Sequence, residues 1–267
     1  MTVRELLDAL LRRFPAEHAE DWDHVGLSVG DPTDEVRGVL VALDVTPASI
    51  EVAARSGANV LVTHHPVYLK APEAFVPAAG AYPVASEAVF SAIRHGVSVI
   101  SLHTNLDRSL EVRELMAQLT GTVAAGSIEC PDDAAAIGYG MLSAPLETTL
   151  GELAPASARA FSTEPRVWGA PDMPVRRLAV LGGSLGGFGE HARAAGADAI
   201  ICGEAGYHVC QDLAGRGVGV VLLGHDASEQ PFCGVLADAV RAAAGPATDV
   251  EIFDPPRMWW TAMEGVR

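Results

Sequence analysis

The chain has 267 residues, of which 49% are hydrophobic and 19% are charged, and its formal net charge is −16 at pH 7. This composition predicts a globular protein with a sizeable core, built as one large domain or two small ones. The acidic excess argues against nucleic-acid and membrane partners, because both require clustered Lys and Arg. No apolar stretch approaches the roughly 20 residues that span a bilayer. The four cysteines lack CxxC spacing, and with no signal segment they predict reduced thiols and a cytoplasmic location.

The first half of the chain predicts a β-α-β-loop-α-β series, in which apolar runs alternate with amphipathic segments. Thr2 and Glu5 have the spacing of a capping box, so the N-terminal segment is predicted to be a helix. Thr46 and Pro47 are a typical pair for the start of the next helix, which closes at Gly57. In chain order we predict a helix at 2–14, a loop at 21–30, a strand at 38–44, a helix at 46–57, a strand at 60–65, an extended loop at 66–83, a helix ending near residue 95 and a strand at 97–102.

The second half predicts a similar series. Gly57 aligns with Gly196 and Gly96 with Gly217, and the residues around each pair match, which indicates an internal duplication. Between the two copies, 121–176 is less regular. The predicted elements are a strand within 134–142, a helix at 150–160, a strand at 177–183, a helix at 188–195, a strand at 199–204, a helix at 207–215, a strand at 218–225, a helix at 228–244 and a strand at 249–253.

These elements predict an α/β fold of two similar, intertwined domains that arose by internal duplication. Each domain is expected to contain a mostly parallel or mixed sheet covered by helices. We place the first domain at 1–121, with the C-terminal segment 226–267 packing back on it, and the second at 122–225. The polar ends of the two strand sets would then line one crevice.

Histidines and carboxylates concentrate where the predicted strands end, which is where α/β proteins usually bind ligands. This set has no thiolate, so it favours zinc, manganese or iron over a structural cysteine site. Five or six donors suit two ions roughly 3.5 to 4 Å apart. Neighbouring strand residues point to opposite sides, so the adjacent pair of histidines serves two ions unless the chain turns at Pro66. The strand-end residues are Asp44, His64, His65, His103, Asp107, Glu204, His225 and Glu229.

Two of these carboxylates also have a simpler explanation. Asp44 is placed to accept hydrogen bonds from the region of Thr46, and Glu204 is placed to cap the helix that follows it. We therefore consider both as partners of metal ligands at best, and not as ligands.

The glycine-rich segment 181–189 fits two interpretations. It is typical of a phosphate-binding turn at a helix N-terminus, and equally of a tight turn that needs glycine backbone angles. It lacks the Gly-Lys-Ser/Thr ending of a P-loop and the Gly-x-Gly-x-x-Gly spacing of a dinucleotide fingerprint.

Five blocks of this sequence resemble the signature of the NIF-three-like dinuclear metal centre family, whose members are often called GTP cyclohydrolase I type 2 homologues. His24 and Ser28 depart from that pattern, where Asn and Gln are expected. The blocks are Trp-Asp-His-Val-Gly-Leu at 22–27, Thr-His-His-Pro at 63–66, His-Thr-Asn-Leu-Asp at 103–107, Gly-Gly-Ser at 182–184 and Gly-His-Asp-Ala-Ser-Glu-Gln-Pro at 224–231.

The resemblance implies a two-domain α/β fold and a ring-shaped homohexamer with metal sites facing an inner cavity. It also implies two divalent ions per subunit, with His103 close to them. The metal ligands implied by the resemblance are His64, His65, Asp107, His225 and Glu229.

The resulting functional hypothesis is a metal-dependent hydrolase resembling GTP cyclohydrolase I type 2, with a small-molecule substrate such as a nucleotide. A metal-activated hydroxide would attack C8 of the guanine ring and release formate, and His103 would be the catalytic proton shuttle. One alternative is a two-metal phosphoesterase or amidohydrolase on another substrate. The other is a protein without turnover, which binds or delivers metal or takes part in a regulatory interaction.

Overall fold

A computed structural model describes residues 1–77 and 83–261 of the chain. Part of the predicted loop at 66–83, and the last six residues of the predicted C-terminal segment, lie outside the described residues. The strands are β1 (Gly26–Val29), β2 (Gly38–Ala42), β3 (Val60–Thr63), β4 (Ser98–Ser101), β5 (Ala124–Gly126), β6 (Met141–Ser143), β7 (Thr148–Thr149), β8 (Arg166–Trp168), β9 (Pro174–Val175), β10 (Leu178–Val180), β11 (Ala199–Cys202), β12 (Gly219–Leu222) and β13 (Asp249–Phe253).

Ten α-helices alternate with these strands in the described part of the chain, together with a short 3-10 helix at Ala16–His18. The capping box of Thr2 and Glu5 is formed at the first helix, as predicted. The helices are α1 (Val3–Arg13), α2 (Pro47–Ser56), α3 (Val84–His95), α4 (Thr104–Asp107), α5 (Leu110–Thr120), α6 (Leu150–Ala160), α7 (Phe188–Ala194), α8 (Tyr207–Gly215), α9 (His225–Glu229) and α10 (Phe232–Ala244).

The first sheet has the strand order β1-β4-β3-β2-β13. Its four strands from β4 to β13 run parallel, and β1 pairs antiparallel with β4 at the edge. The predicted strands at 38–44, 60–65, 97–102 and 249–253 are confirmed at these places. The prediction of a loop throughout 21–30 is wrong at its end, because Gly26–Val29 completes the sheet beside β4.

The second sheet has the order β5-β6-β10-β11-β12-β8. The central strands β10, β11 and β12 are parallel, while β6 and β8 join them antiparallel. Strands β7 and β9 form a separate antiparallel pair. The mixed α/β fold is therefore confirmed. The internal duplication and the domain boundaries at 121 and 225 stay predictions.

A shared core lies between the two sheets and contains residues of both. Each sheet also packs its other face against an outer core. In β2 and β3, Val41 and Val62 face the central core, and Leu40 and Leu61 face an outer core against α2 and α3. The inner faces of β10 and β11 enter the same central core with α1, α5, α6 and α10, and the outer face of the second sheet packs with residues of α7 and α8. A residue that continues the inner face of β3 therefore points toward the second sheet.

Three other element predictions are corrected by the structure. The predicted helix at 228–244 is two helices, α9 and α10, separated at Gln230 and Pro231. The strand predicted to reach residue 225 ends at Leu222, and His225 begins α9. Only Met141 and Leu142 of the predicted strand at 134–142 are in a strand, since the preceding residues form turns. Within the described residues, no helix is both long and apolar enough to cross a membrane.

Candidate metal centre

His64 lies just beyond β3 and continues its inner face, so its side chain is completely buried. The ring lies edge-on to Phe232 in the central core, with the ring centroids 5.3 Å apart. Nδ1 donates to the carbonyl oxygen of Leu102 over 3.1 Å. Because a carbonyl oxygen only accepts, Nδ1 is the donor, which leaves Nε2 as the nitrogen that can offer a lone pair. Nε2 has no hydrogen-bond partner among the described residues.

The unpartnered Nε2 atom of His64 faces two carboxylates. It lies 3.5 Å from Oδ1 of Asp107 and 3.7 Å from Oε1 of Glu229. A buried polar atom without a hydrogen bond is costly, and in native proteins such an atom usually has a specific role. A lone pair aimed at two carboxylates is the arrangement expected of a metal ligand.

His65 follows a bend in the chain, and its ring lies beside that of His64 with centroids 4.9 Å apart. Nδ1 pairs with Oδ1 of Asp44 at 2.8 Å, and Nε2 pairs with Oε2 of Glu229 at 2.9 Å. Burial lowers the pKa of His65, but the hydrogen bonds to both carboxylates outweigh burial and raise that pKa to about 10. Metal binding at Nε2 would therefore release a proton.

Glu229 is the residue that connects the two halves of the cluster. It is the last residue of α9 and is four positions after His225, so both side chains lie on one face of the helix. His225 Nε2 lies 3.1 Å from Oε2 of Glu229. Burial raises the pKa of Glu229, but the adjacent imidazoles of His225, His64 and His65 hold it well below its usual range. Glu229 is therefore a buried carboxylate anion surrounded by imidazoles.

The glycine-rich turn after β10 leaves room for this carboxylate. A Cβ atom on Gly183, which has a φ of +60°, would lie 2.3 Å from Oε1 of Glu229. A Cβ on Gly182 would lie 2.8 Å from Cγ of the same side chain. The amide of Gly183 donates to Ser228 Oγ, and helix α7 has only seven residues. The structure thus supports the tight turn over the phosphate-binding turn.

Asp107 ends the single-turn helix α4, four residues after His103, and its side chain is buried. Its Oδ2 accepts a hydrogen bond from the hydroxyl of Tyr139 over 2.8 Å. Burial raises the pKa of Asp107, and the neighbouring Glu229 acts in the same direction against the attraction of His64. Tyr139 belongs to the irregular segment 121–176 and was not predicted as a site residue.

His103 lies at the entrance of the same cluster, after β4. Its Nδ1 pairs with Oδ1 of Asp23 at 2.8 Å, and Asp23 also accepts from the amide and hydroxyl of Thr104. Burial raises the pKa of Asp23, but these hydrogen bonds lower it far below the usual range. Asp23 is therefore ionised and accepts only, so His103 Nδ1 is the donor and Nε2 is available for proton transfer.

Asp44 and Glu204, which the sequence could also explain as helix-capping residues, both contact histidines through their side chains. Asp44 bonds to His65 as described, while the cap at Thr46 is formed with Ser49. Glu204 Oε1 lies 3.1 Å from Nδ1 of His225. The predicted capping role of Glu204 is wrong, because α8 begins after Gly206 and has no side-chain cap.

The structure also describes the two positions that depart from the family pattern. The ring of His24 lies 5.1 Å from that of Tyr68. Ser28 is on β1, and its Oγ is buried with no hydrogen-bond partner in the described ranges.

The combined geometry could hold a metal ion. Each of the four histidines has its Nδ1 held by an oxygen, which directs Nε2 toward the cluster, as is usual for metal-ligating histidines. The structure brings all six predicted site residues together, including His103. It adds Asp23 and Tyr139, of which only Asp23 lies in a family block. In each of three groups the possible ligand atoms lie within 4.8 Å of one another: His64 with His65 and His103; His65 with His225 and Glu229; and His64 with Asp107 and Glu229.

Fold and site together define a mixed α/β protein with a buried histidine and carboxylate cluster able to hold a metal ion. A family model described as Duf34/NIF3 (NGG1p interacting factor 3) matches residues 1–255. The chain therefore belongs to the Duf34/NIF3 family, and the resemblance found in its sequence is confirmed.

Relatives and solved structures agree with this assignment. A Streptomyces coelicolor protein named GTP cyclohydrolase 1 type 2 homolog is 34% identical over 241 residues, which cover 86% of this chain and 82% of that protein. A Clostridium acetobutylicum protein of the same name is 28% identical over 248 residues, covering 91% of each chain. The crystal structure of a Staphylococcus aureus protein superposes with a TM-score of 0.86 at 23% identity, covering 98% of this chain and 99% of that one. A Bacillus cereus protein related to NIF3 gives 0.84 at 19% identity with the same coverage.

Proposed function

We propose that this protein binds two divalent metal ions and hydrolyses a purine nucleotide in the manner implied by the name of its relatives. The observation that carries the proposal is the buried, unpartnered Nε2 of His64, which faces the carboxylates of Asp107 and Glu229. His65 and Glu229 extend this arrangement to His225. The relatives are named homologues of a GTP cyclohydrolase, and that name supports a nucleotide substrate.

The cluster divides naturally into two ligand groups. His64, Asp107 and Glu229 would hold one ion, and His65, His225 and Glu229 would hold the other, with Glu229 shared. Imidazole and carboxylate ligands suit zinc, iron or manganese. Bound ions of this kind supply a water molecule of lowered pKa and positive charge for a developing anion.

The chain's own residues supply orientation and proton transfer. Asp23 fixes the ring of His103 through Nδ1, so Nε2 of His103 can take a proton from one reacting group and return it to another. The His103 side chain is 15% exposed and can therefore exchange protons with solvent. Under this proposal Asp44 and Glu204 hold His65 and His225 in place.

The first experiment measures bound metal. We expect two equivalents of a transition metal in the purified full-length protein, measured by mass spectrometry of the elements. Glu229→Gln should lose both equivalents, because Glu229 is shared between the two ligand groups. Asp238→Asn is the matched control, since that carboxylate is exposed on α10. Unchanged metal content in Glu229→Gln would refute the metal centre.

The second experiment tests turnover separately. The metal-loaded protein is incubated with GTP, and released formate is assayed with a coupled dehydrogenase. We expect formate from the wild type and a large reduction in His103→Asn, which retains its metal. A fully loaded protein that releases no formate from any purine nucleotide would refute the hydrolase and favour a metal-binding or regulatory role.

The proposal extends to the assembly. The family resemblance implies a homohexamer, and light scattering in solution would then give six times the mass of the chain. A monomeric mass at micromolar concentration would contradict this part alone, because the two ligand groups come from one chain.

A further inference from the structure

Asp107 uses its two carboxylate oxygens for different purposes. Oδ1 faces the unpartnered Nε2 of His64 at 3.5 Å. Oδ2 accepts the hydroxyl of Tyr139 at 2.8 Å. A carboxylate that is free to rotate can present either oxygen, or both, to a cation. The hydrogen bond from Tyr139 occupies one oxygen and leaves the other directed into the cluster.

Tyr139 is itself held on several sides. Its ring stacks on Phe188, with centroids 4.5 Å apart and an angle of 24° between the planes. The guanidinium of Arg108 lies 5.3 Å from the centre of the Tyr139 ring. The amide of Tyr139 donates to Oε2 of Glu129 at 2.8 Å, and Glu129 also accepts from two nitrogens of Arg108. The hydroxyl therefore approaches Asp107 from a fixed direction.

This support connects distant parts of the chain. Arg108 directly follows Asp107 and also bonds to Glu20, with 2.6 Å between Nη2 and Oε1. Tyr139 and Glu129 come from the segment between the two main strand sets, and Phe188 begins α7. The orientation of Asp107 thus depends on contacts from both halves of the fold.

We propose that Tyr139 is a positioning residue of the metal centre, which restricts Asp107 to ligation through Oδ1 and so secures the ion shared with His64 and Glu229. The inference rests on the proposed metal centre. It predicts an unequal effect on the two ions, because Tyr139 contacts Asp107, whereas neither His65 nor His225 is among its hydrogen-bond partners. Ligand-orienting partners of this kind typically contribute about 10-fold to 100-fold to metal affinity.

The test compares Tyr139→Phe with wild type in a titration of the chelator-treated full chain with Co²⁺, followed by the absorption of the bound ion. Phenylalanine keeps the stacked ring and removes only the hydroxyl. We expect wild type to bind two equivalents, and Tyr139→Phe to bind one of them about 10-fold to 100-fold more weakly with an altered absorption spectrum. The second equivalent should keep its wild-type affinity. Tyr207→Phe, at an exposed position on α8, is the matched control.

A second variant and a folding measurement make the result decisive. Phe188→Leu removes the stacked ring but keeps the Tyr139 hydroxyl, and should weaken the same equivalent by a smaller factor. Far-UV circular dichroism before metal addition should match wild type in Tyr139→Phe, and the thermal midpoint should fall only slightly, because Asp107 loses one buried hydrogen bond. The positioning role would be overturned if Tyr139→Phe bound both Co²⁺ equivalents with wild-type affinity. It would also be overturned if the variant bound both equivalents more weakly by the same factor. Failure of the wild type to bind Co²⁺ would instead overturn the proposed function.

Discussion

The two walls of the candidate metal centre are built differently. The first wall follows β3 and β4, and its His64 and Asp107 side chains are 0% and 6% exposed. The second wall comes from α9 and the end of β11, and its His225 and Glu204 side chains are 40% and 58% exposed. One wall is therefore an extension of the protein core, and the other is open to solvent except for the buried Glu229.

The hydrogen-bond partners differ in the same way. His64 is oriented by a backbone carbonyl, which is fixed by the sheet, whereas His225 is oriented by the exposed side chain of Glu204. A buried group fixed by backbone keeps its direction as part of folding, and an exposed pair must be ordered at an entropic cost. The first wall should thus contribute to the stability of the fold, and the second wall mainly to the site.

The largest expected effect comes from the turn that supports Glu229. In Gly183→Ala the new Cβ would lie 2.3 Å from Oε1 of Glu229, so this carboxylate must move. We expect loss of both metal equivalents. We also expect a loss of about 1–2 kcal/mol in unfolding free energy from the left-handed backbone. Elemental analysis and urea unfolding measure the two effects.

Gly186→Ala separates backbone strain from displacement of Glu229. Gly186 has a φ of +48°, close to the +60° of Gly183, but a Cβ there would meet no atom of the described residues within 4 Å. It should show the same loss of stability and retain its metal. Equal metal content in Gly183→Ala and Gly186→Ala would mean that Glu229 is not a ligand shared by the two ions.

The second prediction compares the two walls directly. His64→Ala removes a fully buried ring and leaves the carbonyl of Leu102 without a donor, which should cost about 1–3 kcal/mol in unfolding free energy. His225→Ala removes a ring that is 40% exposed, and should cost about 1 kcal/mol. Both variants should lose affinity for metal. Urea unfolding after chelator treatment, at one fixed pH, gives the comparison.

A large loss of unfolding free energy in His64→Ala alone would show that only the first wall is part of the stable core. A loss of stability in His225→Ala as large as in His64→Ala would show that the second wall is equally part of the core.

The buried strands and the site residues at their ends could be predicted from the sequence, because each is encoded by a local pattern. Apolar runs ending in His-His and in His-x-x-x-Asp identify buried strands with polar ends, because burial on both faces demands continuous hydrophobicity. His225 and Glu229 are four residues apart, the spacing that brings two side chains to one face of a helix, and the structure has a helix there. Such signals are contained within a few consecutive residues.

Other parts depend on contacts between distant segments and leave no local signal. Tyr139 lies 32 positions from Asp107 and Asp23 lies 80 from His103, and neither stands at a strand end. The strands β5 to β9 have only two or three residues each and form by pairing within the second sheet or with each other, so their sequences are less distinctive. The crowding of Gly183 by Glu229 likewise appears only when the chain is folded.

The smallest expected effect concerns the two outer carboxylates, Asp44 after β2 and Glu204 after β11. Asp44→Asn and Glu204→Gln keep an oxygen that accepts from the histidine Nδ1, and remove only the negative charge. We expect each to weaken metal binding by about tenfold, the lower end of what such partners contribute. Asp44→Asn should have the larger effect, because His65 belongs to two of the three ligand groups and His225 to one.

Competition with a chromogenic chelator measures these affinities, with Glu51→Gln as an exposed control carboxylate on α2. The exposed fractions of Asp44 and Glu204, 52% and 58%, are nearly equal, so solvent screening affects both charges alike. A larger effect of Glu204→Gln would therefore show that His225, and not His65, dominates the second ligand group. In that case the exposed wall would control metal affinity while the buried wall controlled stability.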